Sequence, residues 1–239
     1  MKWWEDFFDQ EYAHRFLERE VEPDVFQLLE LLELGAGSRI LDQCCGPGLH
    51  SRVLARRGLT PVGVDLCADY IDTARANCPA GEFVCQDAGQ FVADPPCDGA
   101  FNVYSSFGYS ACDRENARLL QAARSSLRPG ARLVLETINA ANVITNFQPL
   151  ISHQFADGQV AERVSWLDWE RGLLKQNWRI RRPGQADREH ATQMRLFLPS
   201  ELAGLLSACG FEPLRLLGGL QGGPFQRDSP RMLWVARRL

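Results

Sequence analysis

The sequence contains no long apolar run and no apolar leader. None of its apolar stretches approaches roughly 18 consecutive residues, the minimum for a helix that spans a membrane. The opening segment MKWWED lacks the apolar stretch of a signal peptide. We therefore expect a cytoplasmic protein that has no membrane partner.

Runs of like charge and metal-binding spacings are also missing. The net charge is −4 and no run of roughly five like charges occurs, so a protein that follows nucleic-acid phosphates is not expected. The 8 cysteines form no C-x-x-C pair, and only 4 histidines accompany them. We expect neither a metal site nor a disulfide framework. The adjacent Cys44 and Cys45 are interpreted as packing residues rather than as a redox pair.

What the sequence does contain is typical of a globular enzyme. Apolar residues make up 45% of the chain and charged residues 23%, so a sizeable core can be buried. A length of 239 residues fits one α/β domain with an insertion.

Predicted strands and helices alternate over the first part of the chain, as a doubly wound sheet requires. An amphipathic N-terminal helix is predicted first, with Trp3, Trp4, Phe7, Phe8, Tyr12 and Phe16. Further helices are predicted at 23–34 (ending at Gly35), 50–57, 68–77 and 113–127, strands at 39–42, 62–65, 82–85, 99–104 and 133–137, and a turn at 128–130.

From about residue 140 to 198 this alternation is lost. Segments 163–169 and 175–180 instead alternate apolar and polar residues like half-exposed strands, which predicts a small antiparallel insert. A helix capped by Ser200 and strands near 214–218 and 232–237 follow. We expect one domain with an N-terminal helical cap (1–35), a core (36–139), the insert (140–198) and a C-terminal part (199–239).

The most informative segment is RILDQCCGPGLH, residues 39–50, followed by Val62-Gly63-Val64-Asp65. A hydrophobic strand ends in a glycine-containing turn, a helix follows, and a second strand ends on an acidic residue that can reach ribose hydroxyls. A dinucleotide site would need a third glycine where this chain has Ser51. The pattern therefore favours a nucleoside without a pyrophosphate.

This loop and its following acidic residue resemble those of class I S-adenosylmethionine (SAM)-dependent methyltransferases. The N-terminal Trp-Trp-x-x-Phe-Phe pattern at 3–8 and the segment Asp228-Ser229-Pro230-Arg231 resemble one small-molecule subgroup of that family. The resemblance covers most of residues 36–139 and the last two strands. It implies a Rossmann-like sheet of seven strands with the last one antiparallel. The family's first loop glycine is Cys44 here, and a side chain at that point disfavours a positive φ.

The resemblance implies cofactor contacts at the ends of three strands. Asp42 would hold the SAM amino group, Asp65 the ribose hydroxyls and Asp87 the adenine amino group. Since all three end or follow successive strands at one sheet edge, a binding role outweighs a turn or capping role. The further residues expected beside SAM are Tyr12, Cys44, Cys45, Gly46, Gly48, His50, Leu66, Ala88 and Asn102.

No motif fixes a catalytic base, and the candidates are Tyr104, Tyr109 and His153. The insert is expected to bind the acceptor, because variation in such folds is placed on connecting segments. An insert that forms a homodimer would look much the same. The candidates for acceptor contact are Phe107, Tyr109, Asn139, Trp166, Trp178 and Arg195.

The predicted activity is in-line transfer of a methyl group from SAM to a small-molecule acceptor. The acceptor atom is left open among nitrogen, oxygen, carbon, sulfur and selenium. Residues 102–105 read NVYS, which differs from the NPPY type of amino-methylating DNA enzymes. Two alternatives stay open: an aminopropyltransferase-like enzyme on the same fold, and a non-catalytic SAM-binding or scaffold protein.

Overall fold

A computed structural model describes residues 3–8 and 19–239 of the chain. None of the helices in this part of the chain is long and apolar enough to cross a membrane. The strands are β1 (Arg39–Gln43), β2 (Thr60–Asp65), β3 (Glu82–Cys85), β4 (Cys97–Asn102), β5 (Leu127–Ile138), β6 (Leu150–Gln154), β7 (Val160–Asp168), β8 (Leu173–Arg181), β9 (Arg188–Arg195), β10 (Phe211–Leu217) and β11 (Arg231–Arg238). The helices are α1 (Trp4–Phe7), α2 (Glu22–Leu32), α3 (Leu49–Arg56), α4 (Ala68–Asn77), α5 (Asp113–Ser126), α6 (Ala140–Thr145) and α7 (Pro199–Ala208).

The main sheet has seven strands in the order β10-β11-β5-β4-β1-β2-β3. Strands β1 to β5 pair in parallel, whereas β11 runs antiparallel to both β5 and β10. The doubly wound sheet with an antiparallel last strand is therefore confirmed. Its parallel strands end at one edge, and that edge carries Asp42 and Asp65.

Both faces of this sheet are covered by helices. Successive residues of a strand point to opposite faces, so Ile40 packs with Val25 and Leu54 while its neighbour Leu41 packs with Leu120 on the other side. Burial on both faces explains why the central strands read as continuous apolar runs rather than as alternating patterns.

The predicted insert forms a separate antiparallel sheet in the order β6-β7-β8-β9. Its last strand is tied to the loop after β4, because the Arg195 amide donates to the Gly108 carbonyl over 2.7 Å. Trp178 of β8 contacts Phe7 of α1, with 5.7 Å between ring centroids. The insert thus lies beside the N-terminal segment and the carboxyl end of β4.

The predicted end of one helix and the predicted cap of another are wrong. Helix α2 ends at Leu32 rather than at Gly35, because Glu33 adopts a left-handed φ of 57° and caps the helix itself. Ser200 does not cap α7. Instead, the carboxylate of Glu201 accepts from the Leu198 amide over 2.7 Å, and so the cap comes from within the first turn.

Two strand boundaries also differ from the prediction. Strand β4 ends at Asn102, and Tyr104 lies beyond it with a φ of 62°. The predicted turn at 128–130 lies inside β5, whose first residue Leu127 already pairs with Cys97 before a register shift. Of the predicted N-terminal helix, the structure describes residues 3–8, of which Trp4–Phe7 are helical. Tyr12 and Phe16 lie outside the described residues.

Candidate active site

A cavity of about 660 Å³ opens at the carboxyl edge of β1, β2 and β3. Ligands of such sheets bind at this edge, and the volume suits a ligand of nucleoside size. Nine of the predicted SAM-contacting residues line it: Asp42, Cys44, Cys45, Gly46, His50, Asp65, Leu66, Asp87 and Ala88.

The glycine loop after β1 reaches the cavity through left-handed backbone. Gly46 has a φ of 54° and Gly48 a φ of 76°, and a Cβ on Gly48 would lie 2.8 Å from the Ala74 Cβ. Gly48 therefore brings α3 close to α4 and does not itself line the cavity. Cys44 adopts a φ of 64° although it carries a side chain, a conformation that L-residues rarely tolerate. The loop thus keeps glycine-like geometry at the position where this chain departs from the family.

Asp65 ties this loop to the end of β2. Its Oδ2 accepts from the Gly46 amide over 2.9 Å, and its Oδ1 accepts from the Cys67 amide over 3.0 Å. Burial raises the pKa of Asp65, and these backbone amides partly offset that effect. Each carboxylate oxygen keeps a lone pair for a further donor such as a ribose hydroxyl.

Asp42 is almost completely buried at the floor of the cavity, and its Oδ2 accepts from the Ser51 hydroxyl over 2.7 Å. Burial raises the pKa of Asp42 to about 6. The facing His50 and the Ser51 hydroxyl lower this pKa, but they offset only part of the effect of burial. A cation placed against this carboxylate would stabilise its ionised form. The position is therefore chemically suited to an ammonium group.

The far end of the cavity is shaped for a flat apolar group with a polar edge. Leu66 leaves 39% of its surface exposed there, which is high for a leucine next to a buried strand. Asp87 accepts from the Gly89 amide over 2.9 Å, and Ala88 lines the same wall. These are the apolar face and polar edge that an adenine ring needs.

The other end of the cavity is aromatic. Trp4 and Phe8 from the N-terminal segment face Tyr109 from the loop after β4, and Phe8 stacks on Tyr109 with ring centroids 5.9 Å apart. Tyr104 lines the cavity as well, beside Arg19 and His50. Of the predicted catalytic and acceptor residues, the structure brings Tyr104 and Tyr109 to the cavity.

Four other predicted site residues lie outside the cavity because they serve the scaffold. Asn102 is fully buried and donates to the Gln43 side chain over 3.2 Å. Phe107 is fully buried against Phe197. Asn139 donates to three carbonyl groups of the loop at 226–229 and caps α6. Arg195 pairs with Asp113 and Glu201.

The predicted insert residues do not line the cavity either. His153 is exposed on β6, with its ring 4.5 Å from that of Phe155. Trp166 points to solvent on β7. Trp178 lies under the Arg163 guanidinium and beside Phe7, so it supports the N-terminal segment rather than touching the cavity. The alternating pattern identified the strands but not which face would meet the core.

The structure adds two charged residues that the motifs did not indicate. Arg19 lines the cavity, and its guanidinium lies 3.4 Å from the centroid of the Tyr104 ring. Asp24 is buried in α2 and accepts from the Tyr104 hydroxyl. A signal for Asp24 was present, because it stands four residues before Leu28 and hence on the apolar face of its helix.

The cysteines near the cavity do not form a reactive pair. Burial, together with the neighbouring aspartates, raises the pKa of the Cys44 and Cys45 thiols well above the usual range. Thiols that stay protonated are poor nucleophiles. Among residues 3–8 and 19–239, no group of three or more metal-ligating side chains is placed to hold a metal ion.

A family model described as a methyltransferase domain matches residues 11–216. The chain belongs to this methyltransferase family. It is a SAM-dependent methyltransferase with the Rossmann-like fold, as the loop and the strand-end carboxylate predicted.

The chain is similar to a ubiquinone biosynthesis O-methyltransferase of Xanthomonas euvesicatoria pv. vesicatoria, with 28% identity over 173 residues that cover 63% of this chain and 71% of that protein. Among solved structures, the CcbJ methyltransferase of Streptomyces caelestis has a TM-score of 0.80 at 18% identity over 95% and 96% of the two chains. The SAM-bound CalS10 amino pentose methyltransferase of Micromonospora echinaspora has a TM-score of 0.70 at 20% identity over 98% and 99%.

Proposed function

We propose that this methyltransferase transfers the methyl group of SAM to an O–H or N–H group of a small acceptor molecule. The observation that carries the proposal is the division of one cavity into two ends. Three aspartates and an exposed leucine suit the cofactor, while Trp4, Phe8 and Tyr109 surround the space beyond it. Aromatic side chains provide apolar area with defined orientation for a small planar ligand.

The residues present fit SAM chemically. Asp42, whose ionised form is disfavoured by burial, would hold the amino group, and Asp65 the ribose hydroxyls. The guanidinium of Arg19 would hold the methionine carboxylate, and its Nε has no hydrogen-bond partner among the described residues. Asp87, Leu66 and Ala88 would hold the adenine.

When bound, SAM supplies an activated methyl group on a positively charged sulfur. The protein then has to align the acceptor with that group and to exclude water, and oriented reactants gain roughly 7–11 kcal/mol in this way. The aromatic residues Trp4, Phe8 and Tyr109 cover the cavity at the acceptor end and serve this purpose.

The relatives support an oxygen or nitrogen atom as the methyl acceptor. One is a ubiquinone biosynthesis O-methyltransferase, and a structural neighbour is an amino pentose methyltransferase. We propose a hydroxylated aromatic compound or an amino sugar as the acceptor class.

The outer face of the insert supports the expected homodimer. Leu150, Val164 and Trp166 are 60%, 49% and 42% exposed, and the pairing of Leu150 with Val164 places them side by side. Analytical ultracentrifugation of the parent and of Trp166→Glu tests it: a dimer that the substitution dissociates would support it, and a monomeric parent would refute it. We also expect a cytoplasmic location and no nucleic-acid partner, as the sequence predicts.

Calorimetric titration with SAM, S-adenosylhomocysteine and NADH is the first test. We expect micromolar binding of the first two and no binding of NADH; binding of NADH alone would refute the proposal. Decarboxylated SAM is a fourth ligand, because an aminopropyltransferase would prefer it, whereas Arg19 should favour the carboxylate. Incubation with SAM and either catechol or glucosamine then tests turnover through release of S-adenosylhomocysteine. A protein that binds SAM without turnover of any small acceptor would be the non-catalytic alternative.

A further inference from the structure

A buried polar cluster lies beside the cavity, next to its lining residues His50 and Tyr104. Its centre is Asp24 on α2, which is only 6% exposed. Its Oδ2 accepts the hydroxyl hydrogen of Tyr104 and lies 3.8 Å from Nε2 of His50. Its Oδ1 accepts from the side-chain amide of Gln221 over 3.2 Å. Three separate parts of the chain thus direct polar groups at one carboxylate.

The backbone of Tyr104 is held firmly in this arrangement. Tyr104 and Ser105 have φ values of 62° and 63°, which L-residues rarely adopt. The buried carboxylate of Glu136 accepts from the Tyr104 amide over 2.9 Å, and Arg19 covers the phenol ring. The surrounding contacts therefore impose a backbone conformation in which the Tyr104 side chain both lines the cavity and meets Asp24.

This arrangement fixes what the Tyr104 hydroxyl can do. A phenol has one hydrogen to donate, and here Asp24 accepts it. Only the lone pairs of the phenol oxygen remain for a ligand in the cavity, so Tyr104 can accept a hydrogen bond from an acceptor but not donate one. An acceptor whose reacting oxygen or nitrogen carries a hydrogen can therefore donate that hydrogen to the Tyr104 oxygen.

We propose that Tyr104 is the catalytic residue that removes the acceptor's proton, with Asp24 and His50 as its positioning residues. The step rests on the proposed function. A lone pair of the acceptor's oxygen or nitrogen forms the bond to the methyl carbon. The carbon–sulfur bond breaks at the same time, and the electron pair of that bond stays on sulfur. The acceptor's proton passes to the Tyr104 oxygen while the Tyr104 proton passes to Asp24 Oδ2, beside the His50 imidazole.

The protonation states before reaction agree with this direction of transfer. Burial and then the hydrogen bond to Asp24 raise the pKa of Tyr104 to about 12, so the phenol keeps its hydrogen at neutral pH. Burial alone would raise the pKa of Asp24, but its contacts with His50, Tyr104 and Arg19 outweigh burial and lower that pKa. Asp24 is thus ionised before the reaction, and it takes the Tyr104 proton only as the acceptor's proton reaches the phenol oxygen.

Other charged groups face this cluster from the elements packed around it. Arg19 and His50 are its basic members, and Asp42 faces His50 from β1. Glu136 of β5 faces Asp24, and burial raises the pKa of Glu136 itself. A pH profile of the reaction will contain contributions from these groups, so the profile of Tyr104→Phe is needed for comparison.

The first experiment observes the Tyr104 hydroxyl directly. In protein labelled with ¹³C at the tyrosine hydroxyl carbon, the signal that Tyr104→Phe removes should barely titrate up to pH 11. In Asp24→Asn the fraction of Tyr104 that is ionised at pH 11 should rise severalfold, because the negative charge next to its hydroxyl is gone. An unchanged titration would overturn the proposal, and circular dichroism at each pH confirms that the fold persists.

The second experiment measures turnover with SAM and catechol or glucosamine. Tyr104→Phe and Asp24→Asn should each lower kcat about 100-fold, as expected for loss of proton transfer, with SAM affinity within about threefold of the parent. Because the two residues act as one unit, the double variant should lose little more. The matched control is Glu22→Gln, which removes an exposed carboxylate of the same helix and should leave kcat unchanged.

The outcomes separate this proposal from the proposed function. A parent that fails to bind SAM would refute the function itself. A parent that binds SAM and turns over a probe, together with a fully active Asp24→Asn, would refute only the proton-transfer unit. At higher pH the acceptor loses its proton without help from the protein. A kcat of Tyr104→Phe and Asp24→Asn that recovers as the pH rises would therefore support the proton-transfer proposal.

Discussion

Asp42→Asn should stabilise the protein while weakening its binding to SAM. The carboxylate is fully buried, and burial raises its pKa from the usual 3.8 to about 6. One pKa unit corresponds to about 1.4 kcal/mol, so ionised Asp42 costs the ligand-free protein about 3 kcal/mol at pH 7. The asparagine oxygen can still accept from Ser51, but its amide hydrogens lack an obvious partner, at a cost of about 1 kcal/mol. A net gain of about 2 kcal/mol should remain, which raises Tm by about 4–8 °C.

The pH dependence of this gain identifies its cause. Below pH 3.8 the side chain is protonated in both the unfolded and the folded state, and it costs nothing. Between pH 3.8 and about 6 the unfolded state loses the proton first, so the stability of the parent falls as pH rises; above about pH 6 the full cost is present. Near pH 3.8 the variant should therefore be slightly less stable than the parent, because only the cost of its unpaired amide hydrogens remains. Its Tm advantage should appear as the pH rises, grow up to about pH 6 and then level off.

Differential scanning calorimetry of the parent and the variant between pH 4 and 8 measures this gain. The control is Asp72→Asn, an exposed aspartate of α4 paired with Arg75, which should change the free energy of unfolding by less than about 0.5 kcal/mol at every pH. SAM should bind Asp42→Asn about 10–100-fold more weakly, because a charge-assisted bond worth about 1.5–3 kcal/mol is lost. A variant that is less stable than the parent at pH 7, or a gain that does not depend on pH, would refute the reasoning.

Asp65→Ala should weaken SAM binding at least about tenfold in calorimetry, since it removes the ribose partner and loosens the glycine loop; parent-like affinity would contradict the assignment. Gly63→Ala should cost about 1–3 kcal/mol, because its Cβ would lie 2.5 Å from the Phe83 ring, whereas Gly204→Ala in exposed helix should gain about 1 kcal/mol; urea denaturation that ranks them the other way would contradict the packing. Arg195→Met should lower stability by about 1–3 kcal/mol and leave SAM affinity unchanged, since Arg195 pairs with Asp113 and Glu201 outside the cavity; selective loss of acceptor turnover in a fully stable variant would restore its predicted role.

The arrangement of the residues proposed to hold the cofactor could be predicted because its information is local. The glycine loop, Asp42 and Asp65 lie within 27 consecutive residues that form one strand–helix–strand unit. Parallel strands end at the same edge of a sheet, so residues at their ends are neighbours whatever the rest of the chain does. The left-handed backbone at Cys44 was not predicted, because a side chain disfavours a positive φ there, and only the structure shows that the loop imposes it.

The acceptor half could not be predicted in the same way. Asn102 stands at a strand end like the aspartates, yet it packs against Gln43 inside the sheet. Trp166 and Trp178 were candidates because aromatic residues suit an acceptor. In the orientation that the insert sheet adopts, however, Trp166 is exposed to solvent and Trp178 packs on the N-terminal segment. Which face of a strand meets the core depends on how whole sheets pack, and no window of sequence contains that information.

The sequence by itself determined the alternating elements, the order of the core and the nucleoside-binding loop, because periodicity and turn chemistry act between near neighbours. Only the tertiary structure decided that Asp24 and Tyr104, 80 positions apart, share a hydrogen, and that His50 lies beside them. Helix α2 must pack on the sheet before its one buried carboxylate can meet the loop after β4. Proximity of this kind is a property of the packed core rather than of any segment within it.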